Sequence, residues 1–589
     1  MKYRPEIDGL RAIAVIIVIL FHAGFKSFSG GFVGVDVFFV ISGYLITTII
    51  VIEKERGDFS FICFYERRIR RIFPPLFLVL FVSLVSAWFW LLPSEMKDFS
   101  QSLTAVSYFS SNIFFRRTSG YWDISNELKP LIHTWSLSVE EQFYLFFPLF
   151  ITLLGKYHKK WLWFSITTIF TVSLLYAHWG AYNNPTPTFY LLPARIWELL
   201  IGAGIALYFL HQKNTLQSIF SNNLLNELLS LCGLFMIAFA VYAFDEETPF
   251  PSFYALIPTI GTGLIISFSA TQTIVGRMLS SKPLVSIGLI SYSAYLWHQP
   301  LFAFARYLSI IKLSEGIFIL LILLTLLIAY ISWRYIENPF RSKNRFSKKF
   351  IFTFALTGSL AFAIVGLIGK QNNGFTDRFT NEQKNILAFA QYDRKDMFRE
   401  GICFLTVEQK SKDFKRVCSY LGSDENSFFI WGDSHAAALS YGLREISPAV
   451  TQITASGCPP LIGYTSTRRP YCEEINEFAL KRIKKLKPKY LLLHANWSEP
   501  LDKIEPSLEE VLSTTLLRIK ENSPETEIII IGGVPKWKPT LPNILVRFKI
   551  QLADEAFIYS NSYDEIQDTD NTLNIFAKEN EVKFISLLD

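Results

Sequence analysis

The chain has 589 residues, too many for one core, yet only 18% are charged and 16% are aromatic, 54 of them Phe. Mean hydropathy is +0.28, and an ordinary soluble globule would carry about a quarter charged residues, so a wholly soluble protein is excluded. Residues 1–370 hold 30 Lys+Arg and 20 Asp+Glu and the remaining 219 hold 27 and 31, so an apolar half with a positive excess precedes a soluble half. That excess fits basic membrane loops better than a nucleic-acid surface.

Apolar runs long enough for roughly 30 Å of hydrocarbon fall near residues 8–25, 32–52, 73–92, 139–155, 161–180, 190–210, 225–244, 253–270, 284–306, 314–336 and 350–369. The first half therefore reads as a polytopic α-helical domain with about 11 transmembrane helices. Residues 99–115, broken by Ser, Gln and Asn, are expected to be re-entrant or interfacial. Alternate turns are basic: Lys54, Arg56, Arg67, Arg68, Arg70 and Arg71; Lys156, Lys159 and Lys160; Lys213; Arg277 and Lys282; Arg341, Lys343, Arg345, Lys348 and Lys349. This predicts a cytoplasmic N-terminus, and eleven crossings then put the soluble half outside. Arg116, Arg117 and Lys129 stand against the trend. The first run, with another right after it, reads as a retained signal anchor.

Ionisable residues inside these runs are costly and need a reason. Arg11 and His22 are eleven apart, which returns them to nearly one helix face about 16 Å along its axis. Asp36 follows the glycine-rich turn at 30–34 and is expected near His22, where a carboxylate would orient the imidazole. An interfacial histidine and a helix-capping Asp36 form the other reading. Arg67, Arg68, Arg70 and Arg71 stand before Pro74-Pro75, either as solvated topology signals or as a guanidinium cluster for a phosphate. Of the adjacent Glu140 and Glu141 only one can face a given side, and Arg195 with Glu198 is expected to form an i, i+3 ion pair.

After residue 370, short β-rich runs at 427–431, 450–455, 490–494, 527–531 and 582–587 alternate with polar helical stretches, which predicts an α/β domain with a parallel sheet. Ser434 leaves the first strand beside a helix N-terminus, where ligands bind in such sheets and backbone N–H groups can hold an oxyanion. Cys403, Cys418, Cys458 and Cys472 fall in this domain, and of their three pairings Cys403–Cys418 with Cys458–Cys472 is expected in an oxidising compartment. No metal-ligand spacing is present.

Six blocks in order carry a resemblance: Tyr3 to Arg11 with His22, Gly30 to Ile46, Arg68 to Pro74, Trp135 to Tyr144, Ser291 to Pro300 and Tyr335 to Arg341. They resemble the bacterial acyltransferase-3 family of membrane O-acyltransferases. Ser434, Gly457 and Asn496 at three strand exits resemble the SGNH (GDSL-like) domain fused behind such membrane domains. The resemblance implies residues 1–345 as the membrane domain, 346–370 as a linking helix, 371–425 as a linker and 426–589 as an extracytoplasmic α/β/α SGNH-like domain. It implies Arg11 and His22 as an essential pair and Arg68 and Arg71 as an Arg-x-x-Arg pair binding an acyl-CoA donor, expected to be acetyl-CoA. It also implies Ser434 as nucleophile, with the N–H groups of Ser434 and Gly457 and the Asn496 amide as oxyanion hole.

On that resemblance the expected activity is transfer of an acyl group from cytoplasmic acyl-CoA to hydroxyls of a cell-surface polysaccharide or lipid-linked oligosaccharide at the bacterial inner membrane. Lipopolysaccharide O-antigen and peptidoglycan are the expected acceptors. A transporter or flippase of an acyl donor or glycolipid, or an O-acetyl esterase, is the alternative. Nucleic acid is not an expected partner. One departure stands out: the family supplies a base as Asp-x-x-His, whereas His435 and His494, the only histidines after Ser434, follow Gly432 and Leu491 at that spacing. The SGNH-like domain is therefore expected to lack its catalytic tail.

Overall fold

The computed structural model describes residues 3–119, 125–154, 159–211, 223–309, 313–390, 393–419, 427–466, 469–498, 507–537, 539–550 and 563–588. Lys156 and Lys213, two of the basic turn residues named above, lie outside them. The chain divides into two compact units, Met1–Arg378 and Phe379–Asp589.

The first unit is helical. It opens with α1 (Pro5–His22), α2 (Gly34–Glu55) and α3 (Phe61–Trp90). Among the described residues eight helices are long and apolar enough to cross a membrane. The three other expected spans are also helical, but α1 carries Glu6, Asp8 and Arg11, Leu256–Phe268 has only 13 residues, and Lys282–Tyr307 is threaded with Ser, His and Gln. Residues 99–115 fall on two short helices, Pro93–Ser107 and Ser111–Arg117, each below the ~20 residues that a crossing needs.

Close helix approach in an apolar unit depends on small residues, because lipid and side chains compete equally for apolar contact. Helices α2 and Leu192–His211 meet backbone to backbone: a Cβ at Gly43 would lie 1.9 Å from the Leu199 carbonyl oxygen, and one at Gly202 1.9 Å from that of Val40. Buried charges hold the same helices. Arg195 donates to Asp36 and to Glu198, each at 2.8 Å, and its guanidinium also lies against the faces of Trp135, Phe189 and Phe250.

The second unit is a six-stranded parallel sheet: β1 (Phe404–Leu405), β2 (Phe428–Gly432), β3 (Val450–Ala455), β4 (Tyr490–His494), β5 (Glu527–Ile531) and β6 (Lys583–Ile585). Its order is β1-β3-β2-β4-β5-β6. Strand residues alternate between two cores, as the period of two requires. Phe429, Trp431, Leu491, Leu493, Ile528 and Ile530 meet helices Cys472–Leu486, Leu508–Asn522 and Tyr563–Glu579 on one face. Ile430, Leu492, Ile529 and Ile531 meet helix Ser434–Ile446 on the other. The disulfides are Cys403–Cys418 and Cys458–Cys472, as expected.

The chain runs from β2 to β3 on one side and returns to β4 on the other, so the winding direction switches at β2. His494 ends β4; its Nδ1–H donates to the Ile531 carbonyl oxygen in β5 at 3.2 Å, and burial, with His435 nearby, pushes its pKa down to about 4.

Two consequences are measurable. Gly43→Val should cost about 1–3 kcal/mol through overpacking, read as a lower melting temperature of the detergent-solubilised chain. His494 stays neutral when folded but charges near pH 6.5 when unfolded. Stability of the sheet should therefore be full above pH 6.5 and fall by up to about 3 kcal/mol as pH drops to about 4. Hydrogen exchange at β4 amides in the full chain would show this loss, and His494→Gln should flatten it.

Candidate functional site

Two clusters hold the candidate residues. The first is a cavity in the helical unit, lined by Arg11 of α1, Ser42 of α2, Arg68 and Arg71 of α3, and Glu140 and Tyr144 of helix Thr134–Leu154, with Tyr295 and apolar side chains such as Phe38, Phe39 and Leu45. Helical spacing sorts the four arginines. Arg68 and Arg71, three apart, share a face and line the cavity. Arg67 instead pairs with Glu53 at 2.8 Å, while buried Arg70 donates to Glu66 at 2.9 Å and to the carbonyl oxygens of Phe340, Ser342 and Phe346. The four arginines thus divide, Arg67 and Arg70 being taken up by protein partners while Arg68 and Arg71 line the cavity. Glu140 accepts from Ser42 and Tyr144 hydroxyls, both at 3.0 Å, whereas Glu141 is not among the lining residues. Nε of Arg68 is buried with no protein acceptor, and its guanidinium lies 5.8 Å from the Tyr144 ring centre. An anion is what such a face can receive.

His22 closes α1, eleven residues beyond Arg11. Its Nδ1 lies 3.0 Å from the Val18 carbonyl oxygen and 3.3 Å from Nε2 of His298. His133 stands near, its ring centre 5.4 Å from that of His298. Tyr295 joins the two regions: it lines the cavity, its hydroxyl bonds Ser136 at 2.6 Å and donates to the His133 carbonyl at 2.8 Å, and its ring centre is 5.4 Å from that of His298. Arg306 donates to the His22 carbonyl at 2.6 Å.

The expected Asp36–His22 contact is not formed. The desolvated carboxylate of Asp36 takes the guanidinium of Arg195, which also joins it to Glu198, because a buried charge needs a full countercharge more than an imidazole needs orienting. Asp36 thus stands in a buried ion pair, and the neighbours of His22 Nδ1 are instead the Val18 carbonyl and His298. His298, His133 and Tyr295 were missed by sequence reasoning as site residues. A histidine in the run Leu-Trp-His-Gln-Pro, inside an apolar helix, was the available signal.

The second cluster is in the sheet unit. Gly432 pairs with Thr454 of β3 and with His494 of β4, so three strand exits leave the sheet at one level. A Cβ at Gly432 would lie 1.7 Å from the His494 carbonyl oxygen, which restricts that position to glycine. Asp433 caps helix Ser434–Ile446: its carboxylate accepts from the N–H of His435 at 2.8 Å and of Asn496 at 2.9 Å. That one side chain ties the exits of β2 and β4. Burial raises its pKa, and the two N–H donors oppose the rise.

Ser434 follows as the first helical residue and Asn496 sits two residues past β4. Gly457, at φ +61°, turns the chain after β3. The Cys458–Cys472 disulfide holds that turn, with Asn476, whose amide donates to the Pro459 and Leu461 carbonyls at 3.0 and 2.7 Å. His435 and His494 face one another with ring centres 5.7 Å apart. Among the described residues no three His, Cys, Asp or Glu side chains gather as a metal-holding group.

Comparison with known proteins follows this division. Residues 4–334 match an acyltransferase domain family, and residues 402–589 match the SGNH domain that is fused to such domains. The chain is 33% identical over 383 residues to the O-acetyltransferase OatA of Staphylococcus aureus, covering 62% of each chain. It is 33% identical over 367 residues to the peptidoglycan O-acetyltransferase OatA of Listeria monocytogenes, covering 59% of this chain and 57% of that one. The chain therefore spans about three fifths of the curated relatives it matches. The solved periplasmic domain of a lipopolysaccharide acetyltransferase from Salmonella ser. Paratyphi A is 24% identical, with a TM-score of 0.26, over 35% of this chain and 80% of that one. With one family spanning more than half of its length and the second match behind it, this chain belongs to the acyltransferase-3 membrane family in the form that carries a fused SGNH domain.

Proposed function

We propose that this protein is an O-acetyltransferase that takes acetyl groups from acetyl-CoA on the cytoplasmic side of the bacterial cell membrane and delivers them to hydroxyls of a cell-surface polysaccharide, peptidoglycan being the first acceptor to test. The observation that carries the reading is the cavity itself. Arg11, Arg68 and Arg71 converge with Glu140 on one space whose wall also carries Val35, Phe38, Phe39 and Leu45, and Tyr295 connects it through His298 to His22. The arginines suit the phosphates of coenzyme A, the apolar wall suits its pantetheine arm, and about 16 Å of helix separates Arg11 from His22.

In this reading His22 is the general base. It takes the proton of an attacking hydroxyl as the oxygen–carbonyl bond forms; the carbon–sulfur bond then breaks, and the departing thiolate recovers the proton from the imidazolium. Glu140, held by Ser42 and Tyr144, balances the arginine charge. In the sheet unit, Ser434 is the candidate nucleophile, with the N–H groups of Ser434 and Gly457 and the Asn496 amide as oxyanion hole, and its acylation needs a general base that the Asp-x-x-His block, not found after Ser434, would supply. The sheet domain is taken to start by residue 402 and not at 426, because β1 and the Cys403–Cys418 disulfide fall in the stretch expected to be a linker; the N-terminus is read as cytoplasmic and the sheet unit as outside.

The direct test reconstitutes the full chain in liposomes with radiolabelled acetyl-CoA as donor and purified peptidoglycan as acceptor. His22→Ala should abolish acetyl-CoA consumption; unchanged transfer in His22→Ala would overturn the reading. Arg68→Lys and Arg71→Lys should raise the KM for acetyl-CoA by about tenfold each, the loss of a bidentate contact worth ~1.4 kcal/mol. Arg345→Lys, outside the cavity lining, should leave KM unchanged.

A further inference from the structure

The tautomers of the two facing histidines can be read from their partners. His298 is fully buried, and its Nδ1 lies 2.6 Å from the carbonyl oxygen of Tyr295. A carbonyl can only accept, so Nδ1 of His298 carries the proton; in a neutral ring Nε2 is then an acceptor. Nε2 lies 3.3 Å from Nδ1 of His22, so the proton between the rings belongs to His22. The other neighbour of that same nitrogen, the Val18 carbonyl at 3.0 Å, demands a donor as well. Both contacts agree on one state, in which Nδ1 of His22 is protonated and its lone pair is on Nε2.

We infer that His298 is a positioning residue that fixes the tautomer and ring orientation of His22, so that Nε2 of His22 is the basic nitrogen presented to the acceptor hydroxyl. This rests on the reading of His22 as the base. A bond from Nδ1–H to Val18 alone would leave the ring free to tilt about one contact, whereas two acceptors on one N–H, from α1 and from helix Lys282–Tyr307, set both its direction and its plane. The remaining groups around the pair do not compete for that proton. Arg306 meets the backbone carbonyl of His22, and His133 approaches His298 ring to ring. The anchor is itself anchored, because Tyr295 is held through its hydroxyl by Ser136 and by the His133 carbonyl.

Two amide side chains separate tautomer control from packing. In His298→Gln the amide oxygen reaches the place of Nε2 and can accept from His22, whereas in His298→Asn the amide nitrogen takes the place of Nδ1, keeping the bond to Tyr295 without an acceptor for His22. The full chain in liposomes is assayed with radiolabelled acetyl-CoA and purified peptidoglycan. His298→Asn and His298→Ala should lose kcat on the order of 10²-fold, with the KM for acetyl-CoA unchanged because the arginine cavity is untouched. His298→Gln should recover most of kcat, and removing His298 from a His22→Ala chain should cause no further loss, because His298 acts only through His22. Asn performing as well as Gln, Gln as inactive as Ala in chains that insert and melt normally, or Ala retaining wild-type kcat would each overturn the inference while leaving His22 as base. Activity surviving in His22→Ala would instead overturn the underlying reading.

Discussion

The desolvation of charge governs the helical unit. An arginine or carboxylate far from water must find a partner, a cavity or a set of carbonyl oxygens, since each unpaired buried charge costs several kcal/mol. Three outcomes occur within a few residues of one another on α3. Arg67 finds Glu53, Arg70 is enclosed by Glu66 and three backbone carbonyls, and Arg68 with Arg71 opens into the cavity. The first two outcomes complete a structure. The third leaves positive charge lining the cavity, where an anion would find bidentate donors.

The same constraint explains what was legible in the sequence. Five of the six strands were readable from their β-branched and aromatic runs, and their exits located Ser434, Gly457 and Asn496. Strand β1, only two residues long, has no pattern to read. The arginine pair was legible as a motif, but its separation from Arg67 and Arg70 needed the helix phase together with partners as remote as residues 340–346. Asp36 was placed in the wrong contact because its partner, Arg195, is 159 residues away, and no local spacing announces that pairing. The span count stands apart: the runs at 8–25 and 284–306 are helical, but α1 and helix Lys282–Tyr307 carry polar residues that dilute the hydropathy by which spans are recognised.

In the sheet unit, register does the work that charge does in the helices. Parallel pairing of Gly432 with both Thr454 and His494 brings three loops to a common level, and the switch in winding at β2 opens the crevice there. Asp433 then converts proximity into fixed geometry by accepting one N–H from each of two loops. An oxyanion site made of backbone N–H groups needs such a fastening, because its donors are useful only if they need not reorganise when charge develops. Glycine at 432 is the condition for it, since any Cβ would push β4 away.

A transporter is the strongest competing use for charges within a helical bundle, and the packing argues against it. Alternating access requires one group of helices to rock against another around a central site. Here α2 and helix Leu192–His211 touch through backbone at Gly43 and Gly202 and are joined by the Asp36–Arg195 pair. Sliding them apart would separate two buried charges where no water can receive them. Group transfer asks less of the scaffold. Under the function proposed above, an acyl group on a flexible donor arm would pass from the arginines toward His22 while these helices stay in place, so that this step would ask only for rotation within the donor and movement of a proton on one imidazole.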